Sequence, residues 1–401
     1  MHTVSKIPTA EKVIDMERIS GNVSHAYYFA SVPWSDGAQF TRAVLAAYPD
    51  AKLYDRDGDW RDDPWLRDLQ TAENFLHGGG QTYDVVRAFP QGLGCTMLVF
   101  VPDSRVLCVS HHYGFSDASG DELIELRQSG QFKQFRFPDG KQRSFHELAQ
   151  ELCCTLLVPF EPASKSFLLE ITGMAEGYST VAELEAAEAT LLYGLISGDE
   201  GYQFVPREII DARLKCCWGS REFIRLYAYE EAFLFVNLID SAERRRYLDR
   251  QEEFGNKIYG GVNDYFYMGS CPLTVNHGIL FSVEFVMVLK ALINGVMSWR
   301  SDGEEKKSFY RRIRETNESR KRVLTVLHKA ENVEISEIGA MGYLLQESQH
   351  ITPLVEKVKY MLELLEGDLD LMYSERNNIL VTVLTVLGLV LALLQVILAV
   401  I

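Results

Sequence analysis

The residue pattern predicts an α+β protein with two related α/β-type units, a helical stalk and one C-terminal transmembrane helix. Three observations carry that prediction. The order strand, helix, hairpin, helix occurs twice before residue 300; beyond Asp302 strand signals stop and apolar residues recur at helical spacing; and the 23 residues from Ile379 to Ile401 carry no charge. With 401 residues, 47% hydrophobic and 24% charged, the chain is long enough for more than one globular unit, and its composition is neither disordered nor fibrous. These readings divide it into an N-terminal tail (1–20), a first α+β domain (21–160), a second (161–300), the stalk (301–378) and the membrane helix (379–401).

The tail alternates polar and apolar residues and lacks the apolar stretch of a secretory signal peptide. In the first unit an apolar strand, Ala26 to Ser31, leads to a helix from Gln39 to Tyr48 that Pro49 closes; strands Cys95 to Val101 and Val106 to His111 follow. Pro102, Asp103 and Ser104 supply the tight turn between those strands, and Ser119-Gly120-Asp121-Glu122 opens a further helix. In the second unit strand Phe167 to Ile171 precedes a helix from Thr180, where Glu183 completes a capping box and Gly198 supplies the stop. Strands Phe223 to Tyr229 and Phe233 to Ile239 are separated by Glu230, Glu231 and Ala232, and Ser241 caps the next helix.

Ile279 to Trp299 is nearly apolar enough to cross a membrane, but Glu284, Lys290 and Asn294 interrupt it. Each central charge costs roughly 2.5 to 3.5 kcal/mol on insertion. A core helix is expected instead, with Glu284 or Lys290 buried against soluble partners.

A net charge of −16 argues against a protein that binds nucleic acid along its whole surface. Between Lys306 and Lys329, however, nine Lys or Arg stand against two Glu. This basic segment, 306–329, reads either as a solvated helix face docking on acidic domains or as a patch for a cytosolic protein, anionic lipid headgroups or a nucleotide-like ligand. Seven cysteines with no Cys-x-x-Cys spacing fit a reducing compartment and neither a disulfide framework nor a zinc ribbon.

Three constellations invite chemistry. His77-Gly78-Gly79-Gly80 is like an oxyanion-hole loop and Gly114-Phe115-Ser116-Asp117-Ala118 is like a nucleophile elbow, which makes Ser116 and His77 the candidate catalytic pair. Ala118 stands where the elbow needs glycine, and Gly-rich turn and hairpin exit are the plainer roles. Asp55, Asp57, Asp59, Asp62 and Asp63 crowd one loop, but Gly58 and Leu66 occupy the positions where a calcium loop needs other residues. His111 and His112 are adjacent on a strand, so they point to opposite faces and do not chelate one metal together. No metal or cofactor is expected.

Beyond Pro353, Leu354, Val358, Met361, Leu365 and Met372 follow steps of four and three, as either a self-associating coiled coil or packing within one chain requires. The uncharged run that follows is roughly 34 Å long as a helix, enough for a hydrocarbon core of about 30 Å. It reads as a tail anchor with the preceding residues in the cytoplasm. On it Asn378, Val381, Thr385, Gly388, Ala392, Gln395 and Ala399 fall on one stripe among Leu, Val and Ile. Small and polar residues gathered on one face let membrane helices approach and exchange hydrogen bonds, so this stripe is the candidate oligomer or pore surface.

The junction Ser374-Glu375-Arg376-Asn377-Asn378, followed by Val383-Leu384-Thr385-Val386-Leu387, resembles the stalk-to-pore junction of the CorA-type magnesium channel family. That resemblance implies a cytosolic α/β domain, a long helix entering the membrane and a homo-oligomer. It does not carry over magnesium transport, because the family's Gly-Met-Asn loop and second spanning helix have no counterpart in this sequence.

Three functions fit these readings. One is a non-enzymatic, homo-oligomeric membrane protein whose cytosolic part senses a ligand or partner and acts through the stalk, as a channel or membrane effector, with defence among its settings. The others are a membrane-tethered hydrolase around Ser116 and a non-conducting scaffold. Lipid bilayer and a second copy of the chain are the partners that all of the membrane readings share or allow.

Overall fold

The computed structural model describes residues 18–30, 32–55, 85–219, 221–253, 277–298, 314, 317–318, 320–325, 328 and 337–400. The first stretch of the chain forms β1 (Ile19–Phe29), α1 (Gly37–Ala47), β2 (Lys52–Asp55), β3 (Val86–Phe89), β4 (Thr96–Val101), β5 (Val106–Ala118) and α2 (Gly120–Ser129). A small ribbon of β6 (Gln134–Arg136) and β7 (Gln142–Ser144) leads into α3 (Phe145–Thr155). The second stretch forms β8 (Ser164–Met174), α4 (Val181–Ser197), α5 (Arg207–Leu214), β9 (Cys217–Trp218), β10 (Ile224–Tyr229), β11 (Ala232–Asn237) and α6 (Ala242–Glu253). Helices α7 (His277–Ser298), α8 (Glu337–Ser348) and α9 (Ile351–Val400) follow.

Local chemistry fixes the helix starts. Asp36 caps α1 by accepting from the Gln39 N–H at 2.8 Å, and capping boxes open α2, α3 and α4 through Ser119/Glu122, Ser144/Glu147 and Thr180/Glu183. Gly198 ends α4 in the left-handed conformation, φ 69°, that a side chain rarely adopts. Ser241 accepts from the Arg244 N–H at the start of α6, as its position in the sequence predicts.

The α+β class holds, but the boundary expected at 160/161 does not separate two sheets. β1 and β8 pair antiparallel along their whole length, so both stretches join one nine-stranded mixed sheet in the order β2-β3-β4-β5-β1-β8-β11-β10-β9. The two halves are not equivalent. Each sets its first strand beside the last strand of its run, yet β1 is antiparallel to β5 whereas β8 is parallel to β11. The parity of the run explains this: four strands follow α1 and three follow α5, and within each run successive strands pair antiparallel.

β1 also starts earlier than Ala26, inside the expected tail and before the expected first residue of the domain. Its first half contains Asn22, Ser24 and His25, all buried, so a central strand is written there in polar residues and the apolar pattern does not reveal it.

Alternating residues sort to two apolar clusters. Leu98, Phe100, Leu107 and Val109 join Phe40 of α1 and Phe145 and Leu148 of α3; Met97, Val99, Val106 and Cys108 join the larger cluster that includes α7. α7 lies against this core as expected. Its Gly295 approaches β1 so closely that a Cβ there would stand 2.3 Å from the Ala30 Cβ.

Each polar side chain that interrupts α7 has a partner. Glu284 forms a bidentate pair with Arg87 of β3, with Nη1 to Oε2 at 2.6 Å and Nη2 to Oε1 at 2.8 Å, and both side chains are almost fully buried. The Arg87 guanidinium also lies over the Phe281 ring. Lys290 donates to Gln349 Oε1 at 3.1 Å and sits 3.6 Å from Glu231; Asn294 donates to the Ala163 carbonyl at 2.9 Å.

α9 has 50 residues and is about 75 Å long. Pro353 is tolerated in its first turn because those N–H groups have no intrahelical acceptor. Ile351, Val355 and Val358 are buried in the main core, with Leu354, Met361 and Leu362 packed against it. The first part of the stalk stripe therefore packs within one chain. From Tyr373 to Ala392 every residue is exposed.

Candidate functional site

The exposed part of α9 contains most of the predicted membrane stripe. Asn378, Val381, Thr385, Gly388 and Ala392 are exposed, and Gln395 and Ala399 continue the same spacing on the same helix. A Cβ added at Gly388 would meet no atom within 4 Å, so the space needed for a second helix is open. The Thr385 hydroxyl donates to the Val381 carbonyl and that of Thr382 to the Asn378 carbonyl, both at 2.7 Å. Threonine donors bonded within their own helix need no partner chain. Two helices in all are long and apolar enough to cross a membrane among the described residues, α7 and the later part of α9, and α7 is mostly buried.

The predicted catalytic residues are placed as follows. Ser116 is exposed within β5, at an irregular register with β1 and beside Asp117, whose φ is 55°. It lies in a strand that α2 does not follow until Gly120, so no strand-to-helix elbow forms at the serine. His77, with Gly78 to Gly80, and the acidic run from Asp57 to Asp63 lie outside the described residues, while Asp55 ends β2. His111 and His112 diverge as expected: His111 Nδ1 is 3.0 Å from Thr96 Oγ1, and His112 Nε2 is 3.0 Å from Ser110 Oγ. No group of three His, Cys, Asp or Glu side chains able to hold a metal occurs among the described residues.

The basic segment is described in part. Arg320 pairs with Glu366 of α9 at 3.0 Å, and Arg314 lies 3.9 Å from Glu318. The first pair joins the segment to an acidic residue of α9, and the second lies within the segment. Arg322 turns to a different place, into a cavity shared with Arg105.

Sequence spacing gives no sign of a second concave site, because its residues come from several separate elements. A cleft of about 170 Å³ is lined by His25 and Tyr27 of β1, Arg127 of α2, Lys165 of β8 and Glu231 at the β10–β11 turn. Gln131 and His146 hold the Tyr27 hydroxyl, at 3.2 and 3.1 Å, and the Tyr113 hydroxyl is 3.2 Å from His25 Nε2. The Phe145 ring stacks on both Tyr27 and His25.

Burial, reinforced by the neighbouring His111, depresses the His25 pKa to about 3, and burial alone holds His111 near 4. Burial pushes Tyr27 up to about 12. At neutral pH the imidazoles are uncharged and the phenol keeps its proton, so none of these groups is poised for proton transfer. Arg127, lowered by burial against the opposing effect of Glu230, remains a cation and faces the acidic turn. The cleft thus sets charged side chains beside uncharged hydrogen-bonding groups. No protein-family model, curated protein or solved structure matches the chain.

Proposed function

We propose that this protein is a membrane-anchored homo-oligomer whose cytosolic α+β part binds a ligand or partner and acts through α9 on a cluster of membrane helices. The observation that carries this reading is the two-part character of α9. One unbroken helix is packed into the core at Val355 and Val358 and then presents Ile379 to Ala392 with no cover of its own. An uncovered apolar helix of this length is stable in lipid and costly in water. Its rigid continuity gives a mechanical path from the sheet to the bilayer. The layout resembles that of the CorA-type family, and a single-pass anchor with a conducting or membrane-disrupting outcome belongs to the same proposal.

Crosslinking in native membranes tests it. The parent chain should give a defined oligomer. Gly388→Ile should reduce its yield strongly by forcing backbones apart, and Gln395→Leu modestly, since such membrane hydrogen bonds average ~0.6 kcal/mol. Leu394→Ala should leave it unchanged. Equal yields from the parent, Gly388→Ile and Gln395→Leu would leave α9 a lone anchor and sink the oligomer reading.

A further inference from the structure

We infer that Arg105 and Arg322 form a binding site for a phosphoryl group, carried by a small anionic ligand, at the end of the sheet beside α9. The cavity is about 270 Å³ and is lined by these two arginines and by Val32, Pro33, Leu157 and Pro159, with Ala30 at the end of β1. Arg105, exposed, and Arg322, half-buried, line it; among the described residues no carboxylate does, and the remaining lining is apolar.

Neighbouring like charges repel unless an anion joins them, and Arg322 is half-buried. Burial lowers the Arg322 pKa, the adjacent Arg105 lowers it further, and Glu318 opposes these effects only as the smallest contribution. Among the described residues neither guanidinium has a hydrogen-bonded acid. The planar fork of arginine matches the oxygens of a phosphoryl group, and two forks from different elements can hold one such group from two sides.

Two further observations indicate that the arrangement is built. First, Arg105 and Leu157 both adopt left-handed backbone conformations, φ 51° and 57°, on two separate turns that meet at this one cavity. A non-glycine residue in that region is strained, and the surrounding structure must hold it there. For Arg105 the hairpin does so: the Ser104 N–H bonds the Val101 carbonyl and the Arg105 N–H bonds the Pro102 carbonyl. For Leu157 the C-terminal turn of α3 does so, through bonds to the carbonyls of Cys153 and Cys154 from Val158 and Leu157. Second, Arg322 is fixed on either side, by buried Val323 and by the Arg320–Glu366 pair. Leu157 is 83% exposed at the rim, where it offers an apolar contact to the rest of a ligand.

The cavity lies at the small end of ligand pockets, so it takes a phosphoryl group with little more enclosed. Lipid headgroups carry the same chemistry. Glu366, the partner of Arg320, precedes Asn378 by twelve residues, or roughly 18 Å of helix, which favours a soluble ligand over a headgroup.

This inference deepens the ligand-sensing half of the proposed function. Its test reads binding at the arginine pair and not oligomer yield, so either can fail alone. The full chain, in a zwitterionic detergent, is titrated with inorganic phosphate against chloride at matched ionic strength while the unfolding temperature is followed. Phosphate should give a saturable rise that chloride does not. Arg105→Gln and Arg322→Gln should each weaken the apparent affinity about tenfold or more, while Arg320→Gln keeps it. The same chain in nanodiscs with phosphatidic acid identifies the source: stabilisation there without a response to free phosphate, lost in both variants, supports the phosphoryl site and assigns it to a headgroup. Equal shifts with phosphate and chloride and none with phosphatidic acid, or folded variants that respond as the parent does, would overturn the site.

Discussion

Helix α7 and the later part of α9 both satisfy the length and apolarity of a membrane span. Yet 72% of the α7 span is buried in the protein and none of the α9 span is. Length and apolarity alone therefore do not separate the pair. What separates them is the fate of their polar groups: the Glu284 carboxylate meets a guanidinium supplied by β3, and Lys290 and Asn294 meet a side-chain amide and a backbone carbonyl. In α9 the threonine hydroxyls turn inward to their own backbone, and among the described residues no other element covers the Leu, Val and Ile around them. The core helix carries charges that other elements of the fold answer, whereas the exposed part of α9 has neutral hydroxyls that its own backbone answers.

The comparison can be broken most forcefully at Glu284. In the core, Glu284→Leu strands a buried guanidinium and should cost about 3–5 kcal/mol in denaturant unfolding of the full chain. A helix in lipid would instead gain about 2.5–3.5 kcal/mol from removal of the charge. The sign of the change thus decides between the two environments. Replacing both partners, Arg87→Met with Glu284→Leu, should recover much of the loss.

A second, smaller effect comes from pH. His25 and His111 are held neutral, with folded pKa values of about 3 and about 4 against 6.5 for the ordinary side chain. The unfolded chain therefore takes up protons first, so these groups cost nothing above about pH 7 and destabilise the fold as pH falls below 6.5. At ~1.36 kcal/mol per pH unit, each should cost about 2 kcal/mol at pH 5. His25→Gln should flatten the slope of stability against pH by roughly one proton over this interval, read from unfolding at stepped pH. An unchanged slope would mean that the imidazole is not buried neutral.

The smallest expected effect sharpens the α9 side. Because Thr385 is bonded to its own backbone, Thr385→Val should change crosslinked oligomer yield less than Gln395→Leu does. A loss at Thr385 equal to that at Gln395 would show that the hydroxyl leaves its helix to bond a neighbour.

The helix ends and hairpins were legible in the sequence because capping boxes and turn residues act locally: Thr180 with Glu183, Gly198, and Pro102 to Ser104 all behave as their chemistry requires. The core assignment of α7 was legible from its charges. The joining of two units into one sheet was not, because it depends on β1 pairing with β8 across 148 positions, as the Asn22 to Glu170 hydrogen bond measures. Neither cavity was legible as a site. Arg105 reads as a turn residue and Arg322 as one of nine basic side chains; only the packing of Val323 and the α3 terminus brings them together. The same holds for Lys165 and Arg127, which lie in different halves of the chain.

The central claim is that the later part of α9 enters a bilayer and α7 does not. Alkaline carbonate extraction of membranes tests it with two chains, the full sequence and one lacking Ile379 to Ile401. The account predicts that the full chain stays in the membrane pellet, while the shortened chain is released as a folded protein with a cooperative unfolding transition. Retention of the shortened chain in the pellet would place α7 in the membrane, and release of the full chain would remove the anchor; either result contradicts the account.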